Sequence, residues 1–122
     1  MNRYLAFQIE KKGDSSSFIG RVCGDRVEVG DVFTQRFIVR MHEREGEVFA
    51  DIFPTSTVSV IATKIIYWNK EFTSIEKGAV CHIWFDGDTS EIIEKDLLGD
   101  GATFGEYYAE QDAIASRNEK RS

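Results

Sequence analysis

The sequence predicts an all-β fold: a small antiparallel β-barrel with an extra hairpin and a short C-terminal helix. Several short segments alternate apolar and polar residues with a period of two, which is the pattern of half-buried strands. Turn-forming glycines separate these segments, and aromatic residues, which favour strands, make up 12% of the chain. A length of 122 residues fits one domain. We expect a barrel over residues 1–105 and a helical or frayed tail over residues 106–122.

The first third of the chain predicts three strands. Tyr4–Glu10 alternates apolar and polar residues, and Lys11–Ser17 is a polar loop with a turn-forming Gly-Asp pair. Phe18–Cys23 is the second strand. A turn leads into Arg26–Phe33, which is interrupted at Gly30 because glycine inside a strand usually marks a bulge or a tight bend.

The middle of the chain predicts the extra hairpin. Arg36–His42 alternates again, Glu43–Glu47 is a charged turn, and Val48–Phe53 returns until Pro54 stops it. On the first strand of this hairpin, three side chains are expected to face inward: Phe37, Val39 and Met41.

Two further strands follow the hairpin. Thr57–Trp68 is rich in β-branched residues and long for a strand, so we expect a break or bulge near Thr63-Lys64. Asn69–Phe72 is read as a connection. Ala79–Phe85 is a strand whose odd-numbered residues lie on one face.

Two interpretations of the stretch after residue 87 stay open. In the first, Asp88 is the N-cap of a short helix, with Glu91 completing a capping box and the helix ending at Gly99. In the second, this stretch is an irregular loop that leads to a final strand near Ala102–Phe104. From Glu106 onward, the spacing of tyrosines, alanines and an isoleucine predicts a C-terminal helix.

Two stretches of the sequence resemble the second domain of translational GTPases such as elongation factor Tu. The first stretch reads FIGRV at Phe18–Val22 and RVEVGDVF at Arg26–Phe33, where the family has a strand with Gly-Arg-Val, a turn, and a strand ending in Val-Gly-Asp. The second stretch is Ile61–Gly87, and Ile92–Asp96 is similar to the family's approach to its last strand. In the second stretch, four residues stand at the family's positions: Ile75, Gly78, Ile83 and Gly87.

This resemblance implies a barrel fold and a binding role rather than an activity. The sequence departs from the family in three respects. It has no GxxxxGK[ST] phosphate-binding loop, so we expect no GTPase domain to accompany the barrel. It inserts the hairpin Arg36–Phe53 between the two matching stretches, and it is acidic toward its C-terminal end, whereas a surface that contacts RNA is expected to be basic.

The charge distribution argues against a nucleic-acid-binding surface and favours a basic partner. The net charge is −6 at pH 7. The stretch Asp86–Asp112 contains nine acidic residues and one basic residue, Lys95, and therefore carries −8, which leaves the remainder near +2. A protein partner with a basic surface is thus expected to meet the C-terminal third of the chain.

No group of residues indicates an enzyme, a metal site or a cofactor. The two cysteines, Cys23 and Cys81, lie in apolar segments, where reduced, buried thiols are expected. The two histidines, His42 and His82, form no ligand pattern with them, so we expect no catalytic residue, no metal and no cofactor. No apolar run reaches the roughly 18 residues of a membrane span. A cytoplasmic location without membrane contact is expected.

The predicted partner-binding surface joins exposed aromatic residues to the acidic stretch. Tyr67 and Trp68 alternate in direction, so at least one of them is expected to be exposed, and exposed aromatic residues are frequent anchors of interfaces. The predicted binding residues are Trp68, Phe72, Asp86, Asp88, Glu91 and Glu94.

Three functions fit this surface. The first is a non-enzymatic protein-binding module with a barrel like the second domain of elongation factor Tu. The second is an immunity or inhibitor protein whose carboxylates occupy the basic groove of a nuclease-type toxin. The third is an accessory factor associated with RNA or the ribosome. The oligomeric state and the identity of the partner are left open.

Overall fold

The computed structural model describes residues 4–14 and 16–110, and within them it confirms an all-β fold with one short helix. No helix in this part of the chain is long and apolar enough to cross a membrane. The helix, α1, covers residues 103–110. The strands are β1 (Ala6–Lys12), β2 (Ser17–Val22), β3 (Arg26–Glu28), β4 (Val32–Arg44), β5 (Glu47–Tyr67), β6 (Lys70–Phe72), β7 (Ser74–Glu76), β8 (Val80–Gly87) and β9 (Asp96–Gly99).

Six of these strands close into a ring. In the order β4, β9, β1, β2, β8 and β5, each strand pairs antiparallel with the next, and β5 pairs back with β4. Closure removes the free edges that an open sheet of this size would expose. Strand β6 adds to the outer edge of β5, and β3 pairs with β7 in a separate two-stranded sheet.

The main core fills the interior of the ring. Phe85 lies at its centre, with its ring centroid 5.6 Å from that of Phe33 and 6.0 Å from that of Phe18, in tilted or edge-on geometries that aromatic pairs prefer. Ile92 packs into this core from the loop between β8 and β9, and Ile75 packs into it from the separate sheet. The inward-facing residues of β8 are therefore those that the alternation predicted.

The β4–β5 hairpin extends beyond the barrel and forms what we call the arm, residues Val39–Phe53. Strand β4 pairs with β9 only as far as Ile38, and β5 pairs with β8 only from Val60 onward. The remaining residues of the hairpin pair only with each other. The prediction that Met41 faces inward is therefore wrong. Its side chain is 65% exposed because it lies on the arm, beyond the part of the hairpin that the barrel covers.

The prediction that Pro54 stops a strand is also wrong. Strand β5 runs through Pro54 for 21 residues, so the segments predicted on either side of it form one strand. Pro54 lies opposite Phe37, in the same register that places Ile52 opposite Val39. The amide and carbonyl of Ile52 both form hydrogen bonds with the hydroxyl of Tyr108, so they point away from β4. Because main-chain groups alternate in direction along a strand, the nitrogen of Pro54 also points away from β4. The missing N–H therefore costs no bond between β4 and β5.

A second, smaller core lies on the outside of the ring beneath α1. Its buried residues are Tyr4, Ala6, Phe37, Ile52 and Leu97. Thr103 fixes the start of α1, since its Oγ1 donates to the carbonyl of Leu5 at 2.8 Å and accepts from the amide of Asp100 at 2.7 Å. The predicted C-terminal helix is present but begins at residue 103, so the expected boundary between residues 105 and 106 falls inside it. Residues 111–122 of the predicted tail lie outside the described residues.

Five other predictions are corrected or confirmed by the observed elements. No helix starts at Asp88, where the chain forms turns, and the last strand is Asp96–Gly99 rather than Ala102–Phe104. Leu97 and Leu98 pack into different cores on opposite faces, which a strand allows and one face of a helix does not. The predicted connection Asn69–Phe72 contains β6. The interruption at Gly30 and the bulge between Ala62 and Lys64 are confirmed.

Candidate protein-binding site

The loop between β8 and β9, which we call the acidic loop (Asp88–Lys95), ends at the base of the arm. It leaves β8 after Gly87, which pairs with Val60 where β5 emerges from the barrel. It returns at Asp96, which pairs with Ile38 on β4. Both ends of the loop are thus attached to the two strands that continue into the arm.

The chain leaves β8 through a glycine for a steric reason. Gly87 has a φ of +117°, a backbone conformation that residues with a side chain rarely adopt. A Cβ atom placed on Gly87 would lie 2.4 Å from the carbonyl oxygen of Ser59 on β5. The close approach of the two backbones therefore directs the chain out of β8 and into the acidic loop.

A buried ion pair anchors the other end of the acidic loop. The carboxylate of Asp96 accepts from Arg36 Nε at 2.7 Å and from the amide of Ile93 at 2.9 Å. The side chains of Arg36 and Asp96 are only 12% and 3% exposed, and Arg36 Nη1 also donates to Ser56 Oγ at 2.7 Å. This network links the loop to β4 and β5, so the backbone of the loop is held in one arrangement.

The acidic residues of the C-terminal third divide into structural and solvent-facing groups. Asp96 is paired with Arg36, Asp100 accepts from the amide of Ala102 at 2.9 Å at the start of α1, and Glu110 pairs with Lys77. The solvent-facing group comprises Asp86, Asp88, Glu91 and Glu94, which are exposed and form no ion pair with any other described residue.

Asp88 combines exposure with a local structural role. Its Oδ1 accepts from the amide of Ser90 at 3.0 Å, forming a tight turn at the start of the loop. Hydrogen bonds from the Ser90 side chain and amide hold the pKa of Asp88 below its usual range. The carboxylate is therefore fully ionised at neutral pH and adds a fixed negative charge to the loop.

Exposed apolar side chains lie beside these carboxylates. Ile93 is 59% exposed in the acidic loop, and Ile38 and Phe53, which face each other at the base of the arm, are also exposed. Ile93 and Ile38 are both neighbours of Asp96, one through its amide and the other through strand pairing. The arm base thus presents an apolar surface bordered by carboxylates.

The aromatic residues predicted to join this surface lie at the other end of β5. Trp68 is 80% exposed at the turn between β5 and β6, where it adopts a φ of +52°. Asp86 pairs with Ile61, and the seven residues from Ile61 to Trp68 run away from the arm for roughly 20 Å. Asp88, Glu91 and Glu94 therefore lie on the acidic loop and Asp86 lies two residues before it on β8, whereas Trp68 lies at the far end of β5.

Trp68 and Phe72 belong to a separate aromatic group. The ring centroid of Tyr67 lies 6.1 Å from that of Trp68 and 6.1 Å from that of Phe72. Trp68 also borders an open groove of about 560 Å³, whose lining includes Ile66, Cys81 and His82. Their predicted role as partner contacts stays a prediction for this second surface.

The cysteines and histidines are arranged for packing and local hydrogen bonding. Burial raises the pKa of the Cys81 thiol to about 12, and burial also raises the pKa of Cys23, so both thiols are protonated at neutral pH. His82 Nε2 lies 2.8 Å from Ser17 Oγ, and its ring stacks on Trp84 with centroids 4.0 Å apart. Among residues 4–14 and 16–110, no three metal-ligating side chains are grouped as a metal ion would require.

Sequence reasoning missed the exposed residues of the arm. Period-two alternation assigned the side chains of the hairpin to two faces but gave no sign that neither face would be fully covered. The one available signal was length, since a pair of strands that continues past its neighbours leaves both faces open. Arg36 and Asp96 were also missed, because an ion pair between residues 60 positions apart has no local sequence pattern.

Comparison with known proteins found no matching family model, no matching curated protein and no matching solved structure. The resemblance to the second domain of elongation factor Tu therefore stays a prediction from the sequence.

Proposed function

We propose that this protein is a non-enzymatic protein-binding module that contacts a basic partner through the acidic loop and the base of the arm. The observation that carries the proposal is a group of four exposed carboxylates: Asp88, Glu91 and Glu94 lie on the acidic loop, which is anchored at both ends, and Asp86 lies at the end of β8 that leads into it. Fixed, unneutralised charge attracts an oppositely charged partner and speeds its association.

The apolar residues beside the carboxylates support a protein as the partner. Protein interfaces commonly combine an apolar centre with a polar rim, and the contact buries the centre. Ile93, Ile38 and Phe53 supply such a centre, and the carboxylates supply the rim. Exposed apolar side chains grouped in this way are typical of interaction sites rather than of bare surface.

A second candidate function is the neutralisation of a basic toxin. The anchoring of the acidic loop favours it, because a rigid surface suits one dedicated partner. An inhibitor gains affinity when its charged groups are already held in the bound arrangement, because less conformational entropy is lost on binding. The ion pair between Arg36 and Asp96 provides that rigidity. In this form of the proposal, Glu91 and Glu94 take the place of nucleic-acid phosphates in the groove of a nuclease.

Affinity capture with paired variants tests the proposal. The tagged protein and the double variant Glu91→Gln/Glu94→Gln are incubated with nuclease-treated lysate of the source cell, and bound proteins are quantified by mass spectrometry at two salt concentrations. We expect the natural sequence to capture a basic protein in stoichiometric amount, less of it at higher salt, and the variant to capture at least tenfold less. Asp88 is left unchanged because its carboxylate also shapes the turn.

The matched control is Glu71→Gln/Glu106→Gln, which removes the same charge from exposed positions outside the acidic loop. This control is expected to capture as much partner as the natural sequence. A second control, Trp68→Ala, reports whether the aromatic group at the far end of β5 contributes. Equal capture by the Glu91→Gln/Glu94→Gln variant and the natural sequence would contradict the proposal.

A further inference from the structure

The two outer edges of the arm differ in how their backbone groups are satisfied. On the β5 edge, the hydroxyl of Tyr108 accepts from the amide of Ile52 at 3.1 Å and donates to its carbonyl at 3.3 Å. The hydroxyl of Tyr107 lies 3.4 Å from the carbonyl of Ala50. Side chains of α1 therefore occupy the positions that a neighbouring strand would take along this edge.

The β4 edge of the arm has no such cover among the described residues. The pairing of β4 with β9 ends at Ile38. Val39 lies directly opposite Ile52, whose amide and carbonyl point away from β4. In an antiparallel pair, opposite residues share this orientation, so the amide and carbonyl of Val39 point away from β5. By alternation Met41 and Glu43 do the same, and within residues 4–14 and 16–110 no strand pairs with these two residues on that side.

We propose that this open edge, Val39–Glu43, binds an extended segment of a partner protein that adds to the arm as a further strand. Exposed edges of this kind recruit extended peptides through main-chain hydrogen bonds, and the side chains of the edge strand select the peptide sequence. This site is separate from the acidic loop, and it does not depend on the basic partner proposed above.

The side chains of β4 specify a segment that alternates acidic and apolar residues. Val39 and Met41 lie on one face of the arm, and Arg40 and Arg44 lie on the other. The guanidinium of Arg40 is 5.7 Å from the ring centroid of Phe53 and has no carboxylate partner among the described residues. An added strand complements both faces of β4 if its carboxylates lie beside the arginines and its apolar side chains lie beside Val39 and Met41.

Strand β5 already shows the complement of β4. It places Ile52 opposite Val39 and Ala50 opposite Met41, and Asp51, which lies opposite Arg40, pairs with the adjacent His42 Nδ1 at 3.2 Å and leaves Arg40 without a carboxylate partner among the described residues. A strand added to the other edge of β4 would lie beside the same β4 side chains, so we expect it to have the same alternation of acidic and apolar residues. The sequence of residues 47–52, EVFADI, therefore provides a defined probe for the open edge.

A second copy of this chain is a poorer occupant of the edge. Two β4 strands related by a two-fold axis through Met41 would place Arg40 opposite His42 and Val39 opposite Glu43. An axis through His42 would place Arg40 opposite Arg44. Neither register pairs opposite charges, and like charges directly opposite each other destabilise a strand pair.

Binding of a fluorescent EVFADI peptide, followed by anisotropy, tests the proposal with the full chain. Met41→Pro removes one outward-pointing amide and leaves the hydrogen bonds between β4 and β5 in place. We expect the natural sequence to bind the peptide and Met41→Pro to bind it at least tenfold more weakly, with an unchanged far-ultraviolet circular dichroism spectrum. A scrambled peptide of the same composition is expected to bind at least tenfold more weakly to the natural sequence.

A charge exchange keeps the test informative if Met41→Pro does not fold. Arg40→Glu is expected to weaken binding of EVFADI at least threefold and to bind the peptide EVFAKI better than the natural sequence does. Failure of the natural sequence to bind EVFADI, or equal binding by folded Met41→Pro, would overturn the proposal. Self-association of the natural sequence that Met41→Pro abolishes would assign the edge to a second copy and would also overturn it.

Discussion

The hydroxyl of Tyr108 lies between the amide nitrogen and the carbonyl oxygen of Ile52, 3.1 Å from the first and 3.3 Å from the second. One side-chain group thereby satisfies both main-chain groups of a residue at the edge of the arm. Because Tyr108 belongs to α1, the contact also fixes the helix against the second core. Among residues 4–14 and 16–110, the arm is thus supported on one edge and unpaired on the other.

Replacing Tyr108 with phenylalanine is expected to destabilise the fold by about 1–3 kcal/mol, because a half-buried amide and carbonyl lose their partner. Urea unfolding measures the change. The control is Tyr107→Phe, whose hydroxyl makes only a 3.4 Å contact with the carbonyl of Ala50 and whose loss is expected to cost less than about 1 kcal/mol. Equal losses for the two variants would contradict this account of the β5 edge.

Replacing Arg36 with methionine is expected to cost about 3–5 kcal/mol, because Asp96 would stay buried with its charge uncompensated. Arg21→Met provides the matched control, since Arg21 Nε lies 3.9 Å from Glu10 and both side chains are about half exposed. That surface pair is expected to contribute less than about 1 kcal/mol. Chemical denaturation compares the two variants, and a loss below about 1 kcal/mol for Arg36→Met would contradict the anchoring role of the buried pair.

His82 is expected to make the fold less stable as the pH falls below about 6.5. Burial lowers the pKa of its ring from the usual 6.5, while Asp14 partly opposes the shift. Between the folded and unfolded pKa values the unfolded chain binds more protons, so the free energy of unfolding decreases as the pH falls through that window. Urea unfolding of the natural sequence and of His82→Gln between pH 7.5 and 5.5 isolates the contribution. If the free energy of unfolding changed equally with pH in both proteins, His82 would make no contribution to the pH dependence.

Gly87→Ala is expected to destabilise the fold more than Gly30→Ala. Both glycines have positive φ angles, of +117° and +99°, which cost residues with a side chain on the order of 1–3 kcal/mol. At Gly87 the added methyl would also meet the carbonyl of Ser59 at 2.4 Å, whereas nothing lies within 4 Å of the same atom at Gly30. Thermal unfolding ranks the two variants, and the reverse order would contradict the close approach of β8 and β5.

The strands of the barrel could be predicted from the sequence because alternation is a local signal. Ile83 and Phe85 were placed correctly, since both lie on a strand whose apolar face meets the main core. Alternation assigns a side chain to a face but does not say how far that face is covered. Met41 was therefore assigned to a core that reaches only the first residues of the arm, Val39 and Ile52.

The remaining differences arise where tertiary contacts override local preference. Asp88 has the residue type and spacing of a helix cap, yet its carboxylate forms a turn with Ser90, because the chain must cross from β8 to β9 in a few residues. Pro54 is tolerated within β5 because the position of its missing amide faces away from β4. The attachment of the acidic loop to the two strands of the arm depends on the register of four strands, and no segment of the sequence contains that information.

The measurement that most directly tests the central claim is the dissociation constant between the purified protein and the basic protein that it captures, determined at two salt concentrations for the natural sequence and for Glu91→Gln/Glu94→Gln. We predict that the variant binds at least tenfold more weakly and that its affinity depends less on salt, with thermal stability unchanged. An equal dissociation constant and an equal salt dependence for the two proteins would contradict the assignment of the acidic loop as the binding surface.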